Sequence, residues 1–274
     1  DNRKTLYTEL SSRLAGLDNR QLAQLTRSVP DPAEGWGSNG VIQLGKRKIF
    51  VKRVTITDRE LENPFSTKNL HKLPTYYQYG LGSLGFGVHR EVLMHIKTTN
   101  WVLDGSCPNF PLMYHYRELP RSDKPTRIDP KNQANHLRRW NHSRAIGDYR
   151  ESRAGASHQV LLFLEYIPEV LSLWVQKDLS RLTQAVPQII ETLQFLRSKD
   201  IIHFDCHHWN IVTDGVQTYL TDFGLACDLS FQLTKTEREF FKRNTHYDFG
   251  EFLSCAVGNV FGHFRRLPLR KRKP

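Results

Sequence analysis

Residues 203–224 read HFDCHHWNIVTDGVQTYLTDFG. Three histidines in six positions, His203, His207 and His208, admit a metal cluster, a buried strand and turn, or a loop carrying reactive groups. The residues that follow choose among these. Two β-rich runs, IVT and TYL, flank Asp214-Gly215, a strong short-range hairpin signal. A hairpin there returns Asp222 to the side of Asn210, five positions beyond Asp205. Two carboxylates and an amide oxygen converging in this way suit a hard divalent cation, which Mg²⁺ meets through oxygen ligands. A carboxylate left clear of the metal accepts a proton from, or orients, an attacking hydroxyl. Such a group does little covalent work and much positioning and charge neutralisation, which is what phosphoryl transfer requires.

His203-x-Asp205-x-x-x-x-Asn210 followed by Asp222-Phe223-Gly224 resembles the catalytic and metal-binding loops of the protein kinase-like superfamily. The combination is specific because residue identities and both spacings agree; DFG alone means little. The resemblance implies ATP and Mg²⁺ as cofactors. It makes Asp205 the catalytic aspartate, Asn210 and Asp222 the Mg²⁺ ligands, and His203 a residue that braces the loop backbone. Lys52, on the strand pattern KIFVKRV, stands where the family's phosphate-binding lysine lies. Glu91, on the helical pattern VHREVLMHIK, resembles its acidic partner. FLEYIP resembles the hinge, with Leu164 guarding the back pocket, backbone groups of Glu165 and Ile167 bonding adenine, and Val212 beneath the ring. GWGSNG (Gly35, Gly37, Gly40) matches a phosphate-covering G-x-G-x-x-G, with Ser38, Asn39 and Gly40 as the loop tip and Ile42 in the next apolar slot. Asp248 resembles the buried aspartate that supports the catalytic loop.

The pattern departs from the family at four places. Phe50, two residues before Lys52 and on the same strand face, replaces a small residue and crowds or roofs the adenine. His207 stands where Ser/Thr kinases have lysine, a form seen in aminoglycoside and choline phosphotransferases. The stretch from Asp222 to the helix near Tyr247 is short and carries no Ala-Pro-Glu. Little chain follows it, so a reduced C-lobe is expected. Only twelve residues separate Gly40 from Lys52, and no strand is evident before the glycines.

The remaining sequence sets the frame. Leu6, Leu10, Leu14, Leu22 and Leu25 predict two short helices before residue 30, with Asp18 capping the second. VIQL and KIFVKRV predict a hairpin. LPTYYQYGLGSLGFG reads as a loop, FPLMYHY and HQVLLFLEYI as strands, and PKNQANHLRRW as a helix within a polar insertion. After Pro168 helical patterns dominate. The expected fold is α+β and two-lobed: a helical extension (1–30), an N-lobe of antiparallel sheet plus one helix (31–167, with an insertion near 117–158), and a mainly helical C-lobe (168–274).

The 274 residues carry a net charge of +11, concentrated in the stretch Arg117 to Arg153 and the terminal RRLPLRKRKP. That excess suits anionic partners, nucleic acid or a membrane surface; solvated basic loops are the simpler reading, and no base-reading motif accompanies the charge. Four separated cysteines argue against a zinc site or a disulfide scaffold and fit a reducing cytosol. No apolar run reaches the roughly 20 residues of a membrane span, and no apolar signal core opens the chain. The expectation is a cytoplasmic phosphotransferase, or one delivered into a host cell if it is an effector. Its acceptor is a protein Ser/Thr hydroxyl; a small-molecule acceptor and a nucleotide-binding pseudokinase module are the alternatives.

Overall fold

The computed structural model describes residues 2–121 and 126–266. Two amphipathic helices begin it, α1 (Asn2–Ala15) and α2 (Asn19–Leu25), burying Leu10, Leu14 and Leu22. Asp18 caps α2 as expected, in a capping box whose two hydrogen bonds with Gln21 measure 2.7 and 2.8 Å. The predicted hairpin follows as β1 (Ser38–Leu44) and β2 (Arg47–Ile56), turning at Gly45, whose φ of 63° is the left-handed conformation glycine adopts readily. Next come the short α3 (Asp58–Leu61), α4 (Val88–Asp104), β3 (Met113–Pro120), α5 (Pro130–Arg139), α6 (Arg144–Ala154) and β4 (His158–Glu165). The order then changes to β5 (Glu169–Val170), α7 (Leu171–Lys177), α8 (Leu182–Ser198), β6 (Ile201–Ile202), β7 (Ile211–Thr213), β8 (Thr218–Leu220), β9 (Cys227–Asp228), α9 (Lys235–Arg243) and α10 (Tyr247–Arg266). The fold is α+β, with antiparallel sheets.

The main sheet has the order β1-β2-β4-β3, and its register decides what each face carries. Val51 pairs with Phe163 and Arg53 with Leu161 on the outer face. Val51, Phe163 and Leu161 join Leu10, Leu14 and Leu22 of α1 and α2 in one apolar cluster. Arg53 donates to the Thr26 carbonyl at 2.7 Å. Phe50 pairs with Leu164, Lys52 with Leu162, and Val54 with Val160 on the inner face. There Val54, Leu162 and Leu164 pack with Val88 and Val92 of α4. Covering one face and leaving part of the other against a helix is the usual way for an antiparallel sheet to bury its apolar side.

The insertion holds the helix expected at Pro130 and a second, α6, that its polar sequence did not reveal. Leu137, Trp140, Ile146 and Tyr149 cluster with Tyr77 and Phe86 of the preceding loop. Two of its arginines depart from the solvated-loop reading: Arg150 and Arg153 are buried, and Arg150 pairs with Glu34 at 3.0 Å, while Arg127, Arg138, Arg139 and Arg144 are exposed. The terminal basic run 267–274 lies outside the described residues.

Helix α4 is fixed at both ends of its first turn. The Val88 amide donates to Glu60 Oε1 at 2.7 Å, while Arg90 donates to the Thr67 carbonyl at 2.8 Å and to Glu237 of α9 at 2.7 Å. Arg90 is 1% exposed. Removing one member of such a buried pair strands the other charge at a cost of about 3–5 kcal/mol. Arg90→Met should lose stability of that order in urea unfolding, and adding Glu237→Gln should recover part of it. A loss below about 1 kcal/mol, the range of an exposed pair, contradicts this.

Candidate active site

Strand alternation turns Lys52 toward α4, where Glu91 occupies the first turn and is 3% exposed. Lys52 Nζ donates to Glu91 Oε1 at 2.6 Å and to Asp222 Oδ1 at 2.7 Å. Burial on its own would lower the lysine's pKa; the facing Asp222 and Glu91 override it and hold the ammonium above its ordinary range. Burial likewise works to raise Asp222, and Lys52 reverses it, bringing that carboxyl down to about 2. Glu91 is lowered by the same lysine against its own burial. Although protein surrounds Asp222, 41% of its side chain still opens into the cleft. Its φ of 63° is left-handed, a strain of about 1–3 kcal/mol for a non-glycine residue that surrounding structure must hold. Phe223 wedges between His95 of α4 and His203, with ring centroids at 5.3 and 5.0 Å.

The loop of residues 203–210 hangs from α10. Asp248 accepts from the His203 amide at 2.7 Å and the Phe204 amide at 2.9 Å, and Glu251 accepts from the Cys206 amide at 2.6 Å. Beside this support, Asn210 Nδ2 donates to Asp205 Oδ2 at 2.8 Å and to the Asp205 carbonyl at 3.0 Å. His207 Nε2 lies 3.5 Å from Asp205 Oδ1. Burial raises Asp205 to about 6, with His207 pulling against it and Asp222 adding to it. Burial also lifts Asp248 to about 6 and Glu251 to about 8, the latter with help from Asp205.

A cavity of about 340 Å³ connects these groups; Lys52, Glu91, Asp205, His207 and Asp222 all line it, as do Gly37, Ser38 and Asn39. Several expected site residues lie elsewhere. Gly40 is inside β1, paired with Val51, and a Cβ on it would meet Val29 at 3.3 Å on the outer face. Ser38, Asn39 and Gly40 are therefore strand residues, and the bend precedes them at 34–37. Ile42 also faces outward, so the apolar residue on the inner face is Val41, paired with Phe50. One position of strand parity separates the two readings. His203 is fully buried and faces Phe223 and the Thr221 carbonyl, so it positions the loop and touches nothing in the cavity.

The hinge-like residues Leu164, Glu165, Ile167 and Val212 are outside the lining of this cavity. Leu164 is buried in the inner-face cluster, with Phe50 packed against the same cluster. The Glu165 amide is committed to the Leu112 carbonyl at 2.7 Å, and its carboxylate to Arg3 of α1 at 2.6 Å. Ile167 has no backbone hydrogen bond among the described residues, and Val212 is half-buried in β7.

Sequence reasoning missed the segment Tyr79–Gly87, read only as a loop. It lies across the loop of residues 203–210. A Cβ on Gly80 would stand 2.2 Å from Asp205 Oδ1, and one on Gly85 would stand 2.2 Å from the Gly224 carbonyl. Gly82, Gly85 and Gly87 all have positive φ. Four glycines within eight residues, at 80, 82, 85 and 87, were the available signal: that density marks close backbone approach.

The oxygens match a Mg²⁺ site in kind. Asn210 Oδ1 and Asp222 Oδ2 accept no hydrogen bond among the described residues, while their partner atoms are fully engaged. Among the described residues no cluster of three or more His, Cys, Asp or Glu could hold a metal. A cation here therefore needs most of its ligands from phosphate and water, as Mg²⁺ commonly does. No protein-family model matches the chain, and no curated protein matches it either.

His203 offers a check on this geometry. Burial lowers it to about 4, Nε2 faces the Thr221 carbonyl at 3.1 Å, and Nδ1 accepts from the Asp205 amide at 3.3 Å. It should remain neutral, with the proton on Nε2, at pH 5.5 in long-range ¹H–¹⁵N spectra. Because its folded pKa lies below the unfolded value, its contribution is intact above about pH 6.5 and is lost as pH falls toward 4. A protonated His203 at pH 5.5 contradicts the assignment.

Proposed function

We propose that the protein is an ATP- and Mg²⁺-dependent phosphotransferase with a two-lobed, protein kinase-like arrangement. The contact of Lys52 with both Glu91 and Asp222, sharing a cavity with Asp205, carries this reading. Lys52 is a fixed, fully charged donor for phosphate oxygens, and Glu91 keeps it extended into the cleft. Asp205, raised only to about 6, is largely ionised at neutral pH and can orient a hydroxyl and take its proton. Asn210 Nδ2 fixes one carboxylate oxygen of Asp205, leaving the edge near His207 for the acceptor. Mg²⁺ held by Asn210 Oδ1 and Asp222 Oδ2 would neutralise charge on the phosphate oxygens. Asp248 and Glu251 act through the backbone they support.

The motifs favour a protein Ser/Thr hydroxyl as acceptor. A small-molecule acceptor is the second reading, and Tyr79–Gly87 favours it. That segment sits directly on Asp205, over a cavity of about 340 Å³, and takes up room beside that carboxylate. The intact set Lys52, Glu91, Asp205, Asn210 and Asp222 weighs against a silent nucleotide-binding module.

Asp205→Ala should reduce turnover by at least about 100-fold while nucleotide affinity changes by less than about threefold. Asp222→Asn should abolish Mg²⁺-dependent nucleotide binding, measured by titration calorimetry; unchanged Mg²⁺-dependent affinity opposes the metal assignment. Incubation with γ-labelled ATP and either casein or a panel of small alcohols and sugars separates the two acceptor classes. Labelled casein supports the protein acceptor, and a labelled small alcohol with unlabelled casein supports the other. No transfer to any acceptor, to water or to the protein itself contradicts the enzymatic reading.

A further inference from the structure

Four arginines are at least nine-tenths buried: Arg53, Arg90, Arg150 and Arg153. Three of them meet a carboxylate, Arg53 on Asp31 at 2.8 Å, Arg90 on Glu237 at 2.7 Å and Arg150 on Glu34 at 3.0 Å. Arg153, near the end of α6 and 4% exposed, makes no ion pair among the described residues. Its Nε donates to the Gly35 carbonyl at 2.9 Å, and Nη1 to the Leu84 carbonyl at 2.9 Å and to Tyr149 Oη at 3.2 Å. No acceptor among the described residues takes Nη2. The hydrogen-bond acceptors of Arg153 are all neutral, and although burial works against the charge, Tyr149 and the nearby Glu60 carboxylate favour it and raise its pKa.

Arg153 lines the same cavity as Lys52, Asp205 and Asp222. Around it, two glycine turns allow backbone to come close. Gly35 has φ +84°, and Gly82 and Gly85 have φ +87° and +77°. Arg139 adds a second cation at the edge, with Nη1 3.5 Å from where a Gly82 Cβ would stand. A planar guanidinium with an open nitrogen, in a cavity that Lys52 also lines, suits a tetrahedral oxyanion.

We propose that Arg153, with the turns at 35–37 and 82–85 shaping the cavity wall beside it, forms a phosphate subsite in which its open Nη2 is the donor. Two sources share this chemistry: the terminal phosphate of the nucleotide, and a phosphate carried by the acceptor. The choice between them rests on the phosphotransferase reading, whereas the subsite itself does not.

Hydrogen–deuterium exchange on the wild-type chain, with inorganic phosphate against chloride at equal ionic strength, tests the subsite without a variant. Slower exchange across 79–87 and 149–155 is expected. Arg153→Lys and Arg153→Met should each weaken phosphate by at least about tenfold, since a point charge or none replaces the fork. Absence of phosphate-dependent protection in the wild type overturns the inference, and so does unchanged phosphate affinity in a folded Arg153→Met. Repeating the titration with AMP-PNP·Mg²⁺ and with ADP·Mg²⁺ separates the sources. Phosphate excluded by the first but not the second assigns the site to the terminal phosphate; phosphate bound alongside both assigns it to the acceptor. If neither nucleotide binds while phosphate still protects, the phosphotransferase reading fails and the subsite stands.

Discussion

A half-buried ammonium held by two carboxylates is the constraint on which the rest of this structure depends. Lys52, Glu91 and Asp222 are 39 and 170 positions apart, counted from the lysine, and they belong to a strand, a helix and a post-hairpin turn. Each position is demanding for a separate reason. Lys52 faces inward only in the observed β2–β4 register, because a slip of one residue would exchange it with Val51 or Arg53. Glu91 reaches it only with α4 seated where Glu60 and Arg90 fix its first turn. Asp222 arrives through the β7–β8 hairpin and a left-handed backbone conformation. With any of these displaced, the remaining charges would lie buried without compensation.

Acid surrounds the loop of residues 203–210 as well. Asp205, Asp248 and Glu251 all rise above the usual carboxylate range, through burial first and, for each, through another acid nearby. Hydrogen bonds from the His203, Phe204 and Cys206 amides offset the burial of Asp248 and Glu251, while His207 and Asn210 do so for Asp205. The half-buried Asp205 carboxylate is thereby tuned apart from Asp222, at about 6 against about 2. Neighbouring acids separated in this way suit different tasks, proton acceptance for one and cation binding for the other.

Lys52, Glu91, Asp205, Asn210, Asp222 and Asp248 were legible in the sequence because the spacing of 203–224 and the order of element types constrain one another. The hairpins and the capped helix α2 were legible from local turn and cap chemistry. What escaped has physical causes. Gly40 was read as a loop tip and Ile42 as the apolar residue following it because the start of β1, and with it the strand parity, is set by pairing with β2 rather than by the glycine pattern. The hinge-like segment carries the right residues, yet its Glu165 is drawn to Arg3 of α1, a partner no local pattern encodes. Arg153 read as one basic residue among many. Its burial comes from α5 and α6 folding back onto residues 73–87, a tertiary event with no motif. The glycines of 79–87 signalled close approach, and only the fold reveals that Asp205 is what they approach.

The insertion and the glycine segment thus wall one side of the cavity that Lys52, Asp205 and Asp222 line. A crystal structure of the protein with AMP-PNP and Mg²⁺ is the most direct measurement of the central claim. The account predicts the triphosphate in the cavity, Lys52 Nζ within hydrogen-bond reach of its oxygens, and the metal between Asn210 and Asp222. An empty cavity at saturating nucleotide, with Lys52 still closed onto both carboxylates, would contradict it.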